Sequence, residues 1–231
     1  MDRIAEPELM NKKEQVVSYA EADFSEGEYD FINQINYYLA KKNICLSQND
    51  LIVDLGCGPG NISEKLSIMW PDTEVIGIDG SKEMIMKAES NKKIFSNQGK
   101  LKNLRYVCAD IKTFELNIIS RNKQISLLVS NSLIHHITHL DDFFKTINRL
   151  SSDETINFHK DLKRPIDEKS ALELKAKCSS MYNNVLTNDY YASLKASYTY
   201  KELKSFTLEN DLLSLEVFED GEQYLMVYGK V

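Results

Sequence analysis

The four cysteines, Cys45, Cys57, Cys108 and Cys178, are scattered, and no two form a CxxC pair. That spacing argues against a disulfide or metal framework and leaves four reduced thiols in a cytoplasmic protein as the expectation, with no metal site. A run of Lys and Arg interleaved with aromatics is also missing; Lys92-Lys93 is short and reads as a solvated helix end, and the net charge is −7. An acidic chain without a basic face is a poor partner for nucleic acid. No stretch approaches the roughly 20 apolar residues of a membrane span, so no membrane association is expected. The segment Met1-Asp2-Arg3-Ile4-Ala5-Glu6-Pro7 lacks a basic region leading into an apolar run, so no signal peptide is expected either. Internal repeats and low-complexity tracts are absent.

What is present is an alternation of apolar runs and helix-length segments over 231 residues, enough for one α/β domain spanning 1–231. Residues 1–22 read as a polar helix with a thin stripe of Ala5, Leu9, Val16 and Ala20, and Ser25-Glu26-Gly27 reads as punctuation. A second helix spans about Tyr29 to Lys42. Between them, Tyr19 to Phe24 is placed to fold over a ligand, so residues 1–49 form N-terminal helices and a lid. Strands are expected at 51–55, 73–79, 104–109, 125–130 and 155–160. Helices are expected at about 61–70, from Ser81 through Ala88, and at about 141–150. Ser90 to Lys102 reads as a polar linker and residues 111–119 as a weak element. The strands are continuous apolar runs, as in a parallel sheet covered on both faces. Residues 163–197 hold no strand and read as a helical insert over the active site. Thr199-Tyr200-Lys201-Glu202 is a capping-box signature, and 213–218 and 224–229 form a hairpin around Glu219-Asp220-Gly221-Glu222. The expected fold is a doubly wound, Rossmann-like seven-stranded sheet, with five parallel strands, a C-terminal antiparallel hairpin and helices on both faces.

The first strand, Leu51-Ile52-Val53-Asp54-Leu55, runs into Gly56-Cys57-Gly58-Pro59-Gly60-Asn61 and then into an amphipathic helix. Such a turn brings bare backbone N–H groups and a helix N-terminus up to a ligand. A dinucleotide fingerprint would place glycine where this chain has Asn61. Asp79 ends the second strand, where a carboxylate can accept from two ribose hydroxyls; that serves several nucleoside cofactors equally. Asp54, the one charge in the first strand, suits a ligand with a cationic end and is ill-placed beside a pyrophosphate.

These residues carry a resemblance. Asp54-Leu55-Gly56-Cys57-Gly58-Pro59-Gly60 resembles the glycine loop of class I S-adenosylmethionine-dependent methyltransferases almost letter for letter. Gly77-Ile78-Asp79-Gly80-Ser81 is similar to the acidic site of that family's second strand, with Met84 where an apolar side chain packs on adenine. Ala109-Asp110-Ile111 is similar to the end of its third strand. Ser130-Asn131-Ser132-Leu133-Ile134-His135-His136 resembles the fourth-strand segment of its small-molecule methylases. The likeness covers roughly residues 50–231. Two positions depart from it: Leu150-Ser151-Ser152-Asp153-Glu154 lacks the usual Pro-Gly-Gly turn, and Ser126 stands where the family commonly has Asp.

The resemblance implies S-adenosyl-L-methionine as cofactor, with S-adenosyl-L-homocysteine as product. It implies cofactor contacts from Asp54, Gly56, Cys57, Gly58, Asn61, Asp79, Gly80, Met84, Asp110, Ile111, Asn131 and Ser132, to which the lid segment adds Tyr19. The reaction is an in-line displacement whose main demand is alignment, with a general base needed only for an acceptor proton of high pKa. His135 and His136 are the candidate catalytic residues, and His159 is a weaker one. Arg164, Tyr190 and Tyr191 are the candidate substrate contacts, with Tyr182, Ser193 and Tyr198 nearby in the sequence. The expected partner is a small-molecule acceptor; a protein-directed methylase and a non-catalytic cofactor-binding module are the alternatives. Neither the acceptor atom nor the oligomeric state follows from the sequence.

Overall fold

The computed structural model describes residues 1–6, 9–96, 100–115, 123–210 and 212–231. The expected weak element at 111–119 lies partly outside these residues. Seven strands form one sheet: β1 (Leu51–Leu55), β2 (Glu74–Asp79), β3 (Leu104–Cys108), β4 (Ile125–Asn131), β5 (Ile156–Leu162), β6 (Leu215–Asp220) and β7 (Tyr224–Gly229). Their order is β3-β2-β1-β4-β5-β7-β6. The first five are parallel, and β7 runs antiparallel to both β5 and β6.

Eight helices are described: α1 (Lys13–Glu21), α2 (Ser25–Lys41), α3 (Asn61–Met69), α4 (Lys82–Ser96), α5 (Leu140–Leu150), α6 (Glu168–Ser179), α7 (Asn184–Ala196) and α8 (Tyr200–Glu209). Alternation along β1 divides the core. Leu51, Val53 and Leu55 face a cluster holding Phe143, Phe144 and Ile147 of α5 and Leu203 of α8. Ile52 faces a second cluster holding Phe31, Ile32, Ile35 and Leu39 of α2 and Ile62 and Leu66 of α3. Helices therefore cover both faces, as the continuous apolar strands require. Among the described residues no helix is long and apolar enough to cross a membrane.

Four local expectations are corrected. Residues 1–6 and 9–12 are not helical and form an arm without regular secondary structure. Arg3 holds the arm down: its guanidinium donates to the carbonyls of Ala196 (2.5 Å), Thr138 (3.1 Å), His135 (3.2 Å) and Ile137 (2.9 Å), and it lies 4.1 Å over the Tyr198 ring. Ser25-Glu26-Gly27 is the first turn of α2 rather than a break, because the Asp23 carboxylate accepts the Ser25 N–H (3.0 Å). The polar stretch after Ser90 continues α4 to Ser96; Asn91 donates to the Pro59 carbonyl (3.1 Å) and ties that helix to the glycine loop. The hairpin turns at Gly221, with β6 shifted two residues toward the C-terminus. The Ser126 departure has a local solution: its hydroxyl donates to Asp50 Oδ1 at 2.5 Å.

Candidate active site

Open parallel sheets bind ligands in the crevice beyond the carboxyl ends of their strands, where the strand order reverses. Here β1 and β4 flank that point, and a cavity of about 1180 Å³ opens there. One wall is the glycine loop. Gly56, Gly58 and Gly60 have φ of 66°, 53° and 95°. A Cβ on Gly56 would come within 2.6 Å of Leu133 Cδ1, and one on Gly60 within 2.1 Å of the Tyr106 hydroxyl. A Cβ on Gly58 would meet nothing within 4 Å, because that residue faces the open cavity.

Asp79 shapes the loop from the next strand. Its carboxylate accepts the N–H groups of Gly58 (2.9 Å) and Ser81 (2.7 Å). Burial raises its pKa and these two bonds oppose the rise. Asp54 lies deeper and is buried; it accepts from the Ser63 hydroxyl at 2.6 Å. Burial pushes its carboxyl up to about 7 against that hydrogen bond, with the charge of Asp79 adding to the rise. Cys57 is buried and its thiol is pushed well up by the same desolvation, so it is a wall and not a nucleophile.

The structure brings every residue expected at the cofactor to this one cavity. Tyr19, Asp54, Gly56, Cys57, Gly58, Asn61, Asp79, Gly80, Met84, Asp110, Ile111, Asn131 and Ser132 all line it. Asn61 does a second job: its amide donates to Glu28 (2.7 Å), which also pairs with Lys65 (2.6 Å) and fixes α2 to α3. Tyr19 packs at 5.0 Å on Phe24, which packs at 5.5 Å on Tyr182 of the insert.

Across the cavity stand His135 and His136, in the short turn after β4. His135 is buried, with Nδ1 2.5 Å from Asp161 Oδ1 and Nε2 3.5 Å from Glu6 Oε1. Burial alone would lower its pKa; the carboxylates of Asp161 and Glu6 together outweigh burial and the net shift is upward. His136 Nδ1 lies 3.3 Å from the same Glu6 oxygen. Glu6 also accepts from the Ser193 hydroxyl (3.0 Å), and desolvation raises its pKa.

Three expectations are corrected here. Arg164 does not reach the cavity: its guanidinium donates to the Ser197 carbonyl (3.1 Å) and pairs with Glu202 (2.6 Å), so it secures the start of α8. Tyr191 points outward, its hydroxyl on Glu168 and its ring between Lys175 and Lys195. His159 is a core residue, bonded to Ser130 Oγ (2.9 Å) and Asn157 Oδ1 (3.3 Å), and burial pushes its pKa down to about 3. Tyr190 does line the cavity, its hydroxyl donating to Gln223 (2.9 Å).

Asp161, Glu6 and Lys160 were not found from the sequence. Asp161 reads as a loop residue in the sequence, but β5 runs to Leu162 and holds it inside the strand. Lys160 lines the cavity, pairs with Asp220 (2.6 Å) and Asp30 (3.3 Å), and lies over Tyr224. Glu6 had no signal in the sequence, because its partners belong to other elements.

Comparison with known proteins agrees with this geometry. The family described as "Methyltransferase domain" matches residues 46–205. The trans-aconitate 2-methyltransferase of Streptomyces avermitilis is 32% identical over 91 residues, 39% of this chain and 31% of that protein. The malonyl-[acyl-carrier protein] O-methyltransferase of Legionella pneumophila is 29% identical over 99 residues, 43% of this chain and 31% of that protein. The alignments thus span about a third of those curated relatives. Among solved structures, the plantazolicin methyltransferase BpumL, in complex with a pentazolic desmethylPZN analog and SAH, has a TM-score of 0.70 at 16% identity, covering 95% of this chain and 91% of its own. A SAM-dependent methyltransferase from Aquifex aeolicus has a TM-score of 0.63 at 16% identity, covering 94% and 97%.

Proposed function

The chain belongs to the class I S-adenosylmethionine-dependent methyltransferases, and on that premise we propose that it methylates a small-molecule acceptor held between the glycine loop and the His135-His136 turn. The residues around the cavity fit the cofactor. Gly58 leaves its side of the loop open to the cavity, and Asp79 places a carboxylate at the end of β2 beside it. Met84 offers a buried apolar side chain and Asp110 a polar tip on the adjacent wall. S-adenosylmethionine, when bound, supplies a methyl group on a sulfonium that is already a good leaving group.

The work left to the protein is alignment and exclusion of water. Asp54 lies on the wall that would meet the cofactor's cationic end, and Asp79, at the end of β2, is placed to accept from ribose hydroxyls. The arm, α1 and α7 cover the opposite side, and His135 and His136 face the space where an acceptor's nucleophilic atom would lie. Asp161 fixes the ring of His135, so its orientation is set before a ligand arrives.

The observation that supports a small acceptor best is the size of the cavity. Typical small-ligand pockets hold roughly 300–1,000 Å³, so about 1180 Å³ has room for one nucleoside cofactor and one small partner. The test is incubation of the protein with S-adenosylmethionine labelled in the methyl group and a cell extract. Label in the low-molecular-weight fraction is expected. Label confined to macromolecules would overturn the acceptor class, and cofactor binding without any transfer would leave a binding module.

A further inference from the structure

The arm and the turn after β4 bring three metal-binding side chains to one point. Glu6 Oε1 lies 3.3 Å from His136 Nδ1 and 3.5 Å from His135 Nε2. One ligand atom from each residue falls within 4.8 Å of the others. We propose that Glu6, His135 and His136 bind one divalent transition-metal ion of the zinc type, with an open coordination position toward the cavity for an atom of the acceptor. The inference rests on the methyltransferase reading only for the identity of that fourth ligand, and states how the two histidines act within it.

The spacing is the first reason. Zinc holds imidazole nitrogen at roughly 2.0–2.1 Å and carboxylate oxygen at roughly 2.0–2.2 Å, so ligand atoms on a tetrahedron stand about 3.3–3.5 Å apart. The two distances from Glu6 Oε1 fall in that range. The second reason is the shell behind the ligands. His135 directs Nδ1 at Asp161 Oδ1, which leaves Nε2 to face Glu6. Asp161 is itself held, by the N–H groups of Ile134 (2.5 Å) and Leu162 (2.7 Å). Metal-bound histidines usually carry such a carboxylate on the second nitrogen. Ser193 orients Glu6 from the insert in the same way.

The third reason is composition and place. Two imidazoles and a carboxylate suit zinc, iron, cobalt or nickel, whereas magnesium prefers oxygen donors. Three protein ligands with one open position is the pattern of catalytic zinc sites, and His135 and His136 both line the cavity. An ion there would also join the arm to the β4 turn, closing the cavity through Glu6.

The experiment is titration of the chelator-treated 231-residue protein with zinc chloride, followed by calorimetry, with cobalt(II) as a spectroscopic substitute. One ion per chain is expected, with a visible cobalt spectrum of nitrogen and oxygen coordination and no thiolate bands. Glu6→Gln and His136→Asn should weaken binding by about 100-fold or more, and Asp161→Asn by about 10–100-fold. Cys45→Ser and Cys108→Ser, which remove the exposed thiols, should not change it. A thermal shift with S-adenosylhomocysteine, retained in Glu6→Gln, shows that the variant folds. Protein that binds S-adenosylhomocysteine but not zinc, or that binds zinc equally in Glu6→Gln and His136→Asn, overturns the metal site and leaves the methyltransferase reading intact. Zinc binding without S-adenosylhomocysteine binding sinks that reading and leaves the ion.

Discussion

Asp79, half-buried at the end of β2, and His159, buried within β5, are both polar residues of the sheet, and their partners separate their roles. Asp79 holds two loop amides and faces the cavity. Replacing it with alanine frees Gly58 to move and removes the carboxylate, so Asp79→Ala should weaken S-adenosylhomocysteine binding more than tenfold by calorimetry. Unchanged affinity would remove Asp79 from the cofactor site. His159 has no such opening. Its pKa falls to about 3 in the folded state, from an ordinary value near 6.5. The unfolded chain therefore takes up a proton first as the pH drops, and the contribution of neutral His159 is present above about pH 6.5 and is lost toward pH 3. Urea unfolding between pH 7 and pH 4 should show a shallower loss of stability in His159→Gln than in the parent protein. Equal slopes would contradict the burial argument. The sequence could not separate these residues: an Asp before a glycine and a His in an apolar strand both read as candidates, and only their neighbours decide.

At the scale of elements, α8 shows what local pattern does and does not reveal. Its capping box was legible, and Thr199 and Glu202 exchange both bonds. Thr199→Ala should cost about 1 kcal/mol, a fall of roughly 2–4 °C in melting temperature for a chain of this size, readable by calorimetry. The destination of Arg164 was not legible, because Glu202 serves the cap and the arginine at once and lies 38 residues away. The strands follow the same rule. The strands β1, β2 and β4 were readable from their own apolar runs, since a run buried on both faces needs no partner to announce it. The end of β5 was misplaced because Asp161 looks like a loop residue until Ile134 and His135 are placed against it.

At the scale of the molecule, the sheet supplies the glycine-loop wall of the cavity, and the arm with the insert closes it. The sheet wall was nearly complete in the sequence, because loop, strand end and helix are contiguous there. The closing side was not: Arg3, Glu6, Ser193 and Tyr198 meet only after the chain has folded, and a thin apolar stripe made the arm look helical. Arg3 carries the closure through four carbonyls and one ring. Arg3→Ala should release the arm, so that the Ile4 amide, which donates to the Lys195 carbonyl (3.0 Å), exchanges with solvent faster by hydrogen-exchange mass spectrometry. Protection equal to the parent protein would show that the arm is held by other contacts.

The cofactor is the centre of the account, and its binding is measured most directly by thermal unfolding with and without S-adenosylhomocysteine, with NADH as the competing ligand. A ligand at about 100 times its Kd stabilises by about 2.7 kcal/mol, which raises the melting temperature by roughly 5–10 °C at this chain length. The account predicts that rise with S-adenosylhomocysteine and none with NADH. No shift with S-adenosylhomocysteine at hundreds of micromolar, or a shift with NADH alone, would contradict it.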